Sequence, residues 1–226
     1  MQTVSRAKVV EIVVHSEQVR EYILELEKYR KFDEGSFLQF SLDLVDASEY
    51  WPESRTFSIA SRCDRKNKRI RLIISKVGSY TTRIFTELAV GSECTVKYAF
   101  GDMILPSVDV PIICIAAGTG VAPFISFIEK LEESGKLENL KLYYSSKMKK
   151  ELYHFEFLKG CLESNLHCFT TREKSEECHN RRIVIEDILI DTDAEYYICG
   201  SFEFIAYFYE ALTLQGVKKI HKDEWE

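Results

Sequence analysis

The chain contains no Cys-x-x-Cys pair, and its cysteines are odd in number: seven, at 63, 94, 114, 161, 168, 178 and 199. A disulfide framework and a structural zinc site are therefore not expected. A Cys-x4-Cys-x2-Cys run is also missing, which argues against an iron–sulfur cluster held by these 226 residues. Basic excess is lacking too. The net charge of −6 gives no footprint for general nucleic-acid binding. Met1 to His15 alternates polar and apolar residues, so no signal peptide is expected and the chain reads as cytoplasmic. Val110 to Ile128 carries no charge but contains Pro111, Gly118, Gly120 and Pro123. A buried strand, a tight turn and a helix explain it better than a membrane span. Repeats and low-complexity tracts are absent from the sequence as well.

What is present suits a globular protein. Apolar residues make up 46% and charged residues 29%, enough for a core. The length fits one large domain or two of about 100–120 residues. Two grammars meet near Leu105–Asp109, and we expect domains at 1–106 and 107–226. The first half reads as short strands at 7–15, 20–27, 36–44, 55–61, 69–77 and 93–100. Turn residues separate them at Asp33-Glu34-Gly35, Trp51-Pro52 and Asp64 to Lys68. Six such strands predict a small antiparallel β-barrel, interrupted by a short helix at 81–88. The second half alternates. Strands at 110–117, 140–146, 166–171, 194–200 and 217–221 are separated by helices at 121–133, 151–163, 183–189 and 202–214. That order predicts a parallel sheet with crossover helices, an α/β domain.

Three stretches suggest chemistry. RTFSIAS (55–61) puts Arg55, Phe57, Ile59 and Ser61 on one face of an ideal strand, and Thr56, Ser58 and Ala60 on the other. An arginine beside an aromatic ring suits a flat, phosphorylated ligand. It equally suits a core ring with a surface cation. AAGTGVAPF (116–124) follows a buried strand and opens a helix, where Gly118 and Gly120 admit a close backbone approach and the helix N-terminus presents free N–H groups to phosphate. This is neither a G-x-G-x-x-G nor a Walker loop. It does fall at the C-terminal end of a parallel strand, where ligands bind in such sheets. Arg172 and Cys199-Gly200 fall at two further strand ends. Arg172 reads as a phosphate ligand or a solvated loop residue, and Cys199 on its own as packing.

Taken in order, the motifs resemble the ferredoxin–NADP reductase family of flavoproteins over nearly the whole chain. RTFS stands where that family has Arg-x-Tyr-Ser. GSYTTRIF (78–85) resembles its Gly-x-x-Ser phosphate turn, with Thr82 in the hydroxyl position. FGDMIL (100–105) resembles the Phe-Gly segment that closes the barrel, AAGTGVAPF the pyridine-nucleotide loop, and ICGS (198–201) the Cys-Gly motif. Asp223-Glu224-Trp225 resembles the terminal acid-x-aromatic. The resemblance implies an FAD-binding barrel and an NAD(P)-binding domain. Arg55 would hold the flavin pyrophosphate together with Thr81 and Thr82, Phe57 would pack on the ring, and Ser58 would lie near its reactive N5. Gly118, Thr119 and Gly120 would bind the nucleotide pyrophosphate, Arg172 the adenosine end, and Cys199 would lie beside the nicotinamide. Asp223 would relay protons, and Trp225 would cover the flavin. Thr56, Ile74, Lys76 and Tyr80 join the flavin contacts this resemblance implies, and Pro123, Lys147, Thr171 and Gly200 the nucleotide contacts. Five features depart from the family pattern: Phe57 replaces Tyr, Ala99 replaces Pro, Lys147 stands where arginine is common, Asp223 replaces Glu, and Glu226 follows the aromatic Trp225.

The implied activity is electron transfer from NADPH, or NADH, through FAD to a one-electron carrier such as ferredoxin or flavodoxin. An electron-transfer subunit of a larger redox or oxygenase complex is the alternative. A non-catalytic NAD(P)-sensing module without flavin is a further one. Arg172 and Lys147 favour NADPH, although Glu173 is adjacent. No metal is expected, and the oligomeric state is left open. SRCDRKNKRIR (61–71) gathers six basic residues. They read either as a docking patch for an acidic carrier or as a solvated hairpin turn.

Overall fold

The structure, a computed structural model, describes residues 2–45, 50–106 and 109–223. It divides into two compact units, Met1–Ile104 with Ile125–Phe127, and Leu105–Phe124 with Ile128–Glu226.

The first unit is built on six strands: β1 Thr3–Val14, β2 Val19–Leu26, β3 Phe37–Ser41, β4 Arg55–Ser58, β5 Arg69–Ser75 and β6 Glu93–Phe100. They pair antiparallel in the order β4-β3-β6-β1-β2-β5. Alternation fixes which face is inside. In β1, Thr3, Ser5, Ala7 and Val9 are buried, while Arg6 and Lys8 are exposed. A register shift between Val9 and Glu11 interrupts that alternation, as an inserted residue does. The interior is filled by side chains such as Val9, Tyr22, Leu24, Leu38, Phe40 and Val96.

RTFSIAS is not one straight strand. β4 stops at Ser58, and Ser58, Ile59 and Ala60 are all buried in succession. The reason is a change of partner. Ile59 N donates to Ser36 O at 2.9 Å, but Ala60 N donates to Arg71 O at 2.8 Å. The run therefore carries the chain from the β3 edge to the β5 edge, which nearly closes the barrel. The ideal alternation holds only through Phe57. Helix α1, Ser79–Glu87, joins β5 to β6 and buries Tyr80, Ile84 and Phe85, residues spaced to share one helical face.

The second unit is a parallel sheet in the order β11-β10-β7-β8-β9. Its strands are β7 Ile112–Ala117, β8 Leu140–Ser146, β9 Leu166–Thr170, β10 Glu195–Cys199 and β11 Ile220–Asp223, with helices α2 Ala122–Ser134, α3 Phe155–Leu162 and α4 Phe202–Leu214. β7 is central. Ile112 to Ala116 are all buried, as a strand covered on both faces requires. α4 turns Ile205, Phe208 and Leu212 onto a core that includes Ile113, Ile115, Tyr143, Phe169 and Ile198. The chain leaves β7 toward β8 on one side and reaches β10 on the other. The order reverses at the C-terminal end of β7, the place where open parallel sheets form a ligand crevice.

Two expected helices differ. The helix over 183–189 is a single 3₁₀ turn, Ile185–Asp187. Its acid is engaged elsewhere: Asp187 Oδ2 accepts from Arg181 Nη1 at 2.6 Å and from Val184 N at 2.9 Å. The helix over 151–163 begins only at Phe155. Tyr153 N donates to the Tyr144 hydroxyl at 3.0 Å, and His154 adopts a left-handed conformation, φ 58°.

Candidate functional site

Each unit carries a separate cluster of the expected residues. In the first, β4 presents Arg55 to solvent while Thr56 and Phe57 are half-buried and Ser58 is buried. Phe57 meets Phe40 edge-on, with centroids 6.1 Å apart, so part of its ring is anchored in the core and part is left uncovered. The Arg55 guanidinium lies 4.7 Å over the Tyr80 ring. Tyr80 itself is buried, its hydroxyl accepts from Leu42 N at 3.0 Å, and burial pushes its pKa up. It acts as a fixed platform beneath the cation.

α1 begins beside this platform. Thr81 Oγ1 accepts from Val77 N at 2.9 Å and Gly78 N at 3.0 Å, and donates to Gly78 O at 3.2 Å. Thr82 Oγ1 donates to Gly78 O at 2.9 Å. Both hydroxyls hold the turn together, so the anion-binding capacity of this turn lies mainly in its backbone. The first-turn N–H groups of a helix have no acceptor within it and carry the positive end of its dipole. Ile74 is buried in the barrel core, and Lys76 is half-buried with Nζ 5.7 Å from the Phe85 ring.

The structure adds two residues that the sequence did not single out. Glu53 Oε1 accepts from Arg55 Nη2 at 3.3 Å, and Glu53 Oε2 from Arg83 Nη1 at 3.4 Å. Arg83 also lies 5.7 Å over the same Tyr80 ring and donates to Glu87 Oε1 at 2.8 Å. One carboxylate thus bridges two exposed arginines at the start of a helix. Two cations on one platform, bridged by an anion, are a donor set that suits a pyrophosphate. Arg55 and Arg83 are 28 positions apart, and no spacing rule links a strand arginine to a second-turn helix arginine.

In the second unit, Gly118 takes φ +56° and opens a 3₁₀ turn, Gly118–Val121, that leads into α2. Pro123 sits in the first turn of α2, where its missing N–H costs nothing. The Tyr144 hydroxyl pins the loop by donating to Gly118 O at 3.0 Å. The loop lies hard against the end of β10. A Cβ on Gly120 would come within 2.4 Å of Cys199 O and 2.9 Å of Gly200 N, and one on Gly200 within 3.1 Å of Ala117 Cβ. At Gly120 this is a backbone-on-backbone approach that only glycine allows. Thr119 is half-buried on the same turn, and Cys199 is buried, in register with Ala116 on one side and Asp223 on the other.

The neighbouring strand ends bring Lys147, Thr171 and Arg172 together, all exposed. Arg172 N donates to Lys147 O at 2.8 Å, and Thr171 N to Ser146 O at 3.2 Å. Glu173 is engaged, its Oε2 accepting from Lys149 N at 2.8 Å. Trp225 lies outside the described residues. The basic run 61–71 is partly neutralised: Arg62 meets Asp64 at 3.7 Å, Arg69 meets Glu25 at 3.3 Å, and Arg71 meets Glu21 at 3.1 Å. Arg65, Lys66 and Lys68 are exposed. Among the described residues no helix is long and apolar enough to cross a membrane.

Residues 114–209 match the oxidoreductase NAD-binding domain family. The chain is 24% identical over 164 residues to the reductase component of propane 2-monooxygenase from Mycolicibacterium smegmatis, covering 66% of this chain and 47% of that one. It spans about half or less of the curated relatives it matches. Among solved structures it is similar to the FAD/NAD-binding domain of nitric oxide dioxygenase from Vibrio cholerae, with TM-score 0.85, 16% identity and 98% of each chain covered. It is also similar to a ferredoxin NADP+ reductase from Neisseria gonorrhoeae solved with bound FAD and NADP, with TM-score 0.81, 16% identity and 98% of each chain covered.

Proposed function

From a chain with the two-domain fold of the ferredoxin–NADP reductase flavoproteins and an oxidoreductase NAD-binding domain, we propose an NAD(P)H-dependent flavoprotein reductase that uses FAD and passes electrons to a one-electron acceptor such as a ferredoxin or flavodoxin. The observation that carries this reading is the pairing of two donor sets of different kinds. The first unit has an arginine pair on an aromatic platform beside a helix N-terminus, and the second a glycine loop at the reversal point of a parallel sheet.

FAD would supply the hydride acceptance and single-electron release; the chain would supply the rest. Arg55 and Arg83 would neutralise the flavin pyrophosphate. The first-turn N–H groups of α1 complete that grip. Phe57 gives the ring system an apolar wall, and Ser58 a hydroxyl near its edge. Gly118, Thr119 and Gly120 keep the nicotinamide nucleotide's pyrophosphate close to backbone N–H groups. Cys199 would lie beside the nicotinamide, with Asp223 alongside it in register. Lys147 and Arg172 attract the adenosine end. The exposed Lys147 and Arg172 at these strand ends support NADPH over NADH, because both can pair with a 2′-phosphate.

A second reading has one observation of its own. The relative it matches over 164 residues is the reductase component of propane 2-monooxygenase, which supports work as an electron-transfer component of an oxygenase or other redox assembly. Purified protein is expected to take up FAD and to reduce ferricyanide with NADPH. Colourless protein that refuses FAD overturns the proposal. Turnover with ferricyanide together with stable co-purification of an oxygenase favours the second reading.

A further inference from the structure

The loop after β9 brings two of the seven cysteines together. Phe169 and His179 form an isolated parallel bridge, with His179 N donating to Cys168 O at 2.8 Å and Thr170 N to His179 O at 2.9 Å. Their rings stack with centroids 4.9 Å apart. Cys168 and Cys178 are the residues just before this bridge on the two segments, so their side chains leave the same face. Paired segments lie roughly 4.8 Å apart, inside the roughly 4.4–6.8 Å span between Cα atoms that a disulfide needs. The bridge sets Cys168 and Cys178 beside each other, and both cysteines are reduced. Cys168 is buried, whereas Cys178 is half-buried and reachable from solvent.

The surroundings define which sulfur meets an oxidant first. Cys178 N donates to Ser175 O at 3.4 Å, and Lys149, Glu173 and Glu177 are its charged neighbours. Burial pushes the Cys168 thiol up to about 12, and it raises Cys178 as well. Both are protonated at neutral pH, which keeps the pair reduced until a strong oxidant arrives.

We propose that Cys168 and Cys178 are a modification site that hydrogen peroxide converts to a reversible disulfide, closing a ring over the loop that carries Thr171, Arg172 and Glu173. Cys178 loses its proton to solvent and attacks one peroxide oxygen; the O–O bond breaks and hydroxide leaves, giving the sulfenic acid. Cys168 then loses its proton and attacks the Cys178 sulfur. The S–S bond forms, the S–O bond breaks and a second hydroxide leaves. The two released protons make two waters, and the two electrons lost by the sulfurs reduce the peroxide. A thiol reverses the bond by exchange.

Bond formation draws the sulfurs together to about 2.05 Å, which shifts the segment around Cys178 against the end of β9. The effect on nucleotide binding rests on the proposed function, since it assigns Arg172 to the adenosine end.

The test treats the full chain with hydrogen peroxide and maps tryptic peptides without reduction. Cleavage at Arg172 and Lys174 separates the two cysteines, so a disulfide joins peptide 160–172 to peptide 175–181. Fragmentation is expected to place the bond at Cys168 rather than Cys161, with loss of two hydrogens, reversal by dithiothreitol, and no linked peptide in Cys178→Ser or Cys168→Ser. A bond at Cys161, or Cys178 over-oxidised while Cys168 stays free, overturns the site. With the bond formed, KM for NADPH is expected to rise several-fold and kcat with ferricyanide to hold. An unchanged KM removes the regulatory consequence and leaves the disulfide. Protein that never oxidises NADPH counts against the reductase reading alone, because the peptide map does not depend on it.

Discussion

In the proposed reading the two candidate half-sites would each hold a pyrophosphate, by opposite means. The first unit offers side-chain charge: Arg55 and Arg83 over Tyr80, both paired with Glu53. The second uses backbone and shape, with Gly120 pressed against Cys199 O and Gly118 in a left-handed conformation. Charge acts at a distance, tolerates displacement and is screened by salt. Close packing of backbone on backbone does none of these. The first half-site is therefore expected to respond to mutation by degrees, and the second to fail abruptly.

The largest effect is expected at Gly120. Gly120→Ala forces a Cβ to within 2.4 Å of the Cys199 carbonyl oxygen, where neither side is a flexible side chain. We expect a loss of about 1–3 kcal/mol in urea denaturation together with loss of NADPH oxidation. A variant with wild-type stability and turnover would show that the loop does not need this contact. Gly118→Ala sharpens the comparison. Its Cβ would meet nothing within 4 Å, so only the positive φ is penalised, at about 1 kcal/mol.

Arg55→Ala comes next. A hydrogen bond to a charged group is worth about 1.5–3 kcal/mol, so FAD affinity is expected to fall about 10–100-fold. The loss should grow at low salt, where the Arg55 charge is less screened. Equilibrium FAD binding at two ionic strengths checks this; unchanged affinity removes Arg55 from the site. Arg172→Ala is expected to weaken NADPH about tenfold while barely changing NADH. An equal effect on both nucleotides contradicts the donor assignment.

These positions show how far the sequence could be read. β8 over Leu140–Ser146 and α4 over Phe202–Leu214 fall where the alternation of strand-like and helix-like segments put them, because that alternation is a local signal. The glycine loop was visible for the same reason. The barrel corner at Ile59–Ala60 was not, since exchanging β3 for β5 as a partner is a long-range event. Nor was the arginine pair: Glu53, Arg55 and Arg83 meet only when α1 folds against β4. The short turn at Ile185–Asp187 was over-read as a helix because the grip of Arg181 on Asp187 has no signature in composition.

Smaller effects are expected from Glu53→Gln and from His167. Removing the Glu53 charge frees both arginines, so FAD is expected to bind up to about fivefold tighter, in line with the modest worth of exposed ion pairs. Weaker binding would mean that Glu53 orients the arginines instead of competing for them. His167 stacks on Tyr143 with centroids 4.6 Å apart. Burial first, then the charges of His179 and Lys141, hold its pKa below the ordinary histidine value. The unfolded chain therefore binds the proton more readily. The stabilising share of the neutral ring is full above the ordinary histidine pKa and is lost as pH falls through the folded value. Thermal unfolding of His167→Gln is expected to depend less on pH across this window than that of the wild type.

The central claim is best tested by an anaerobic absorbance titration of the FAD-saturated protein with NADPH, with NADH in a parallel cuvette. The account expects the flavin band to bleach near one equivalent of NADPH and more slowly with NADH. A flavin that stays oxidised with both nucleotides would contradict it.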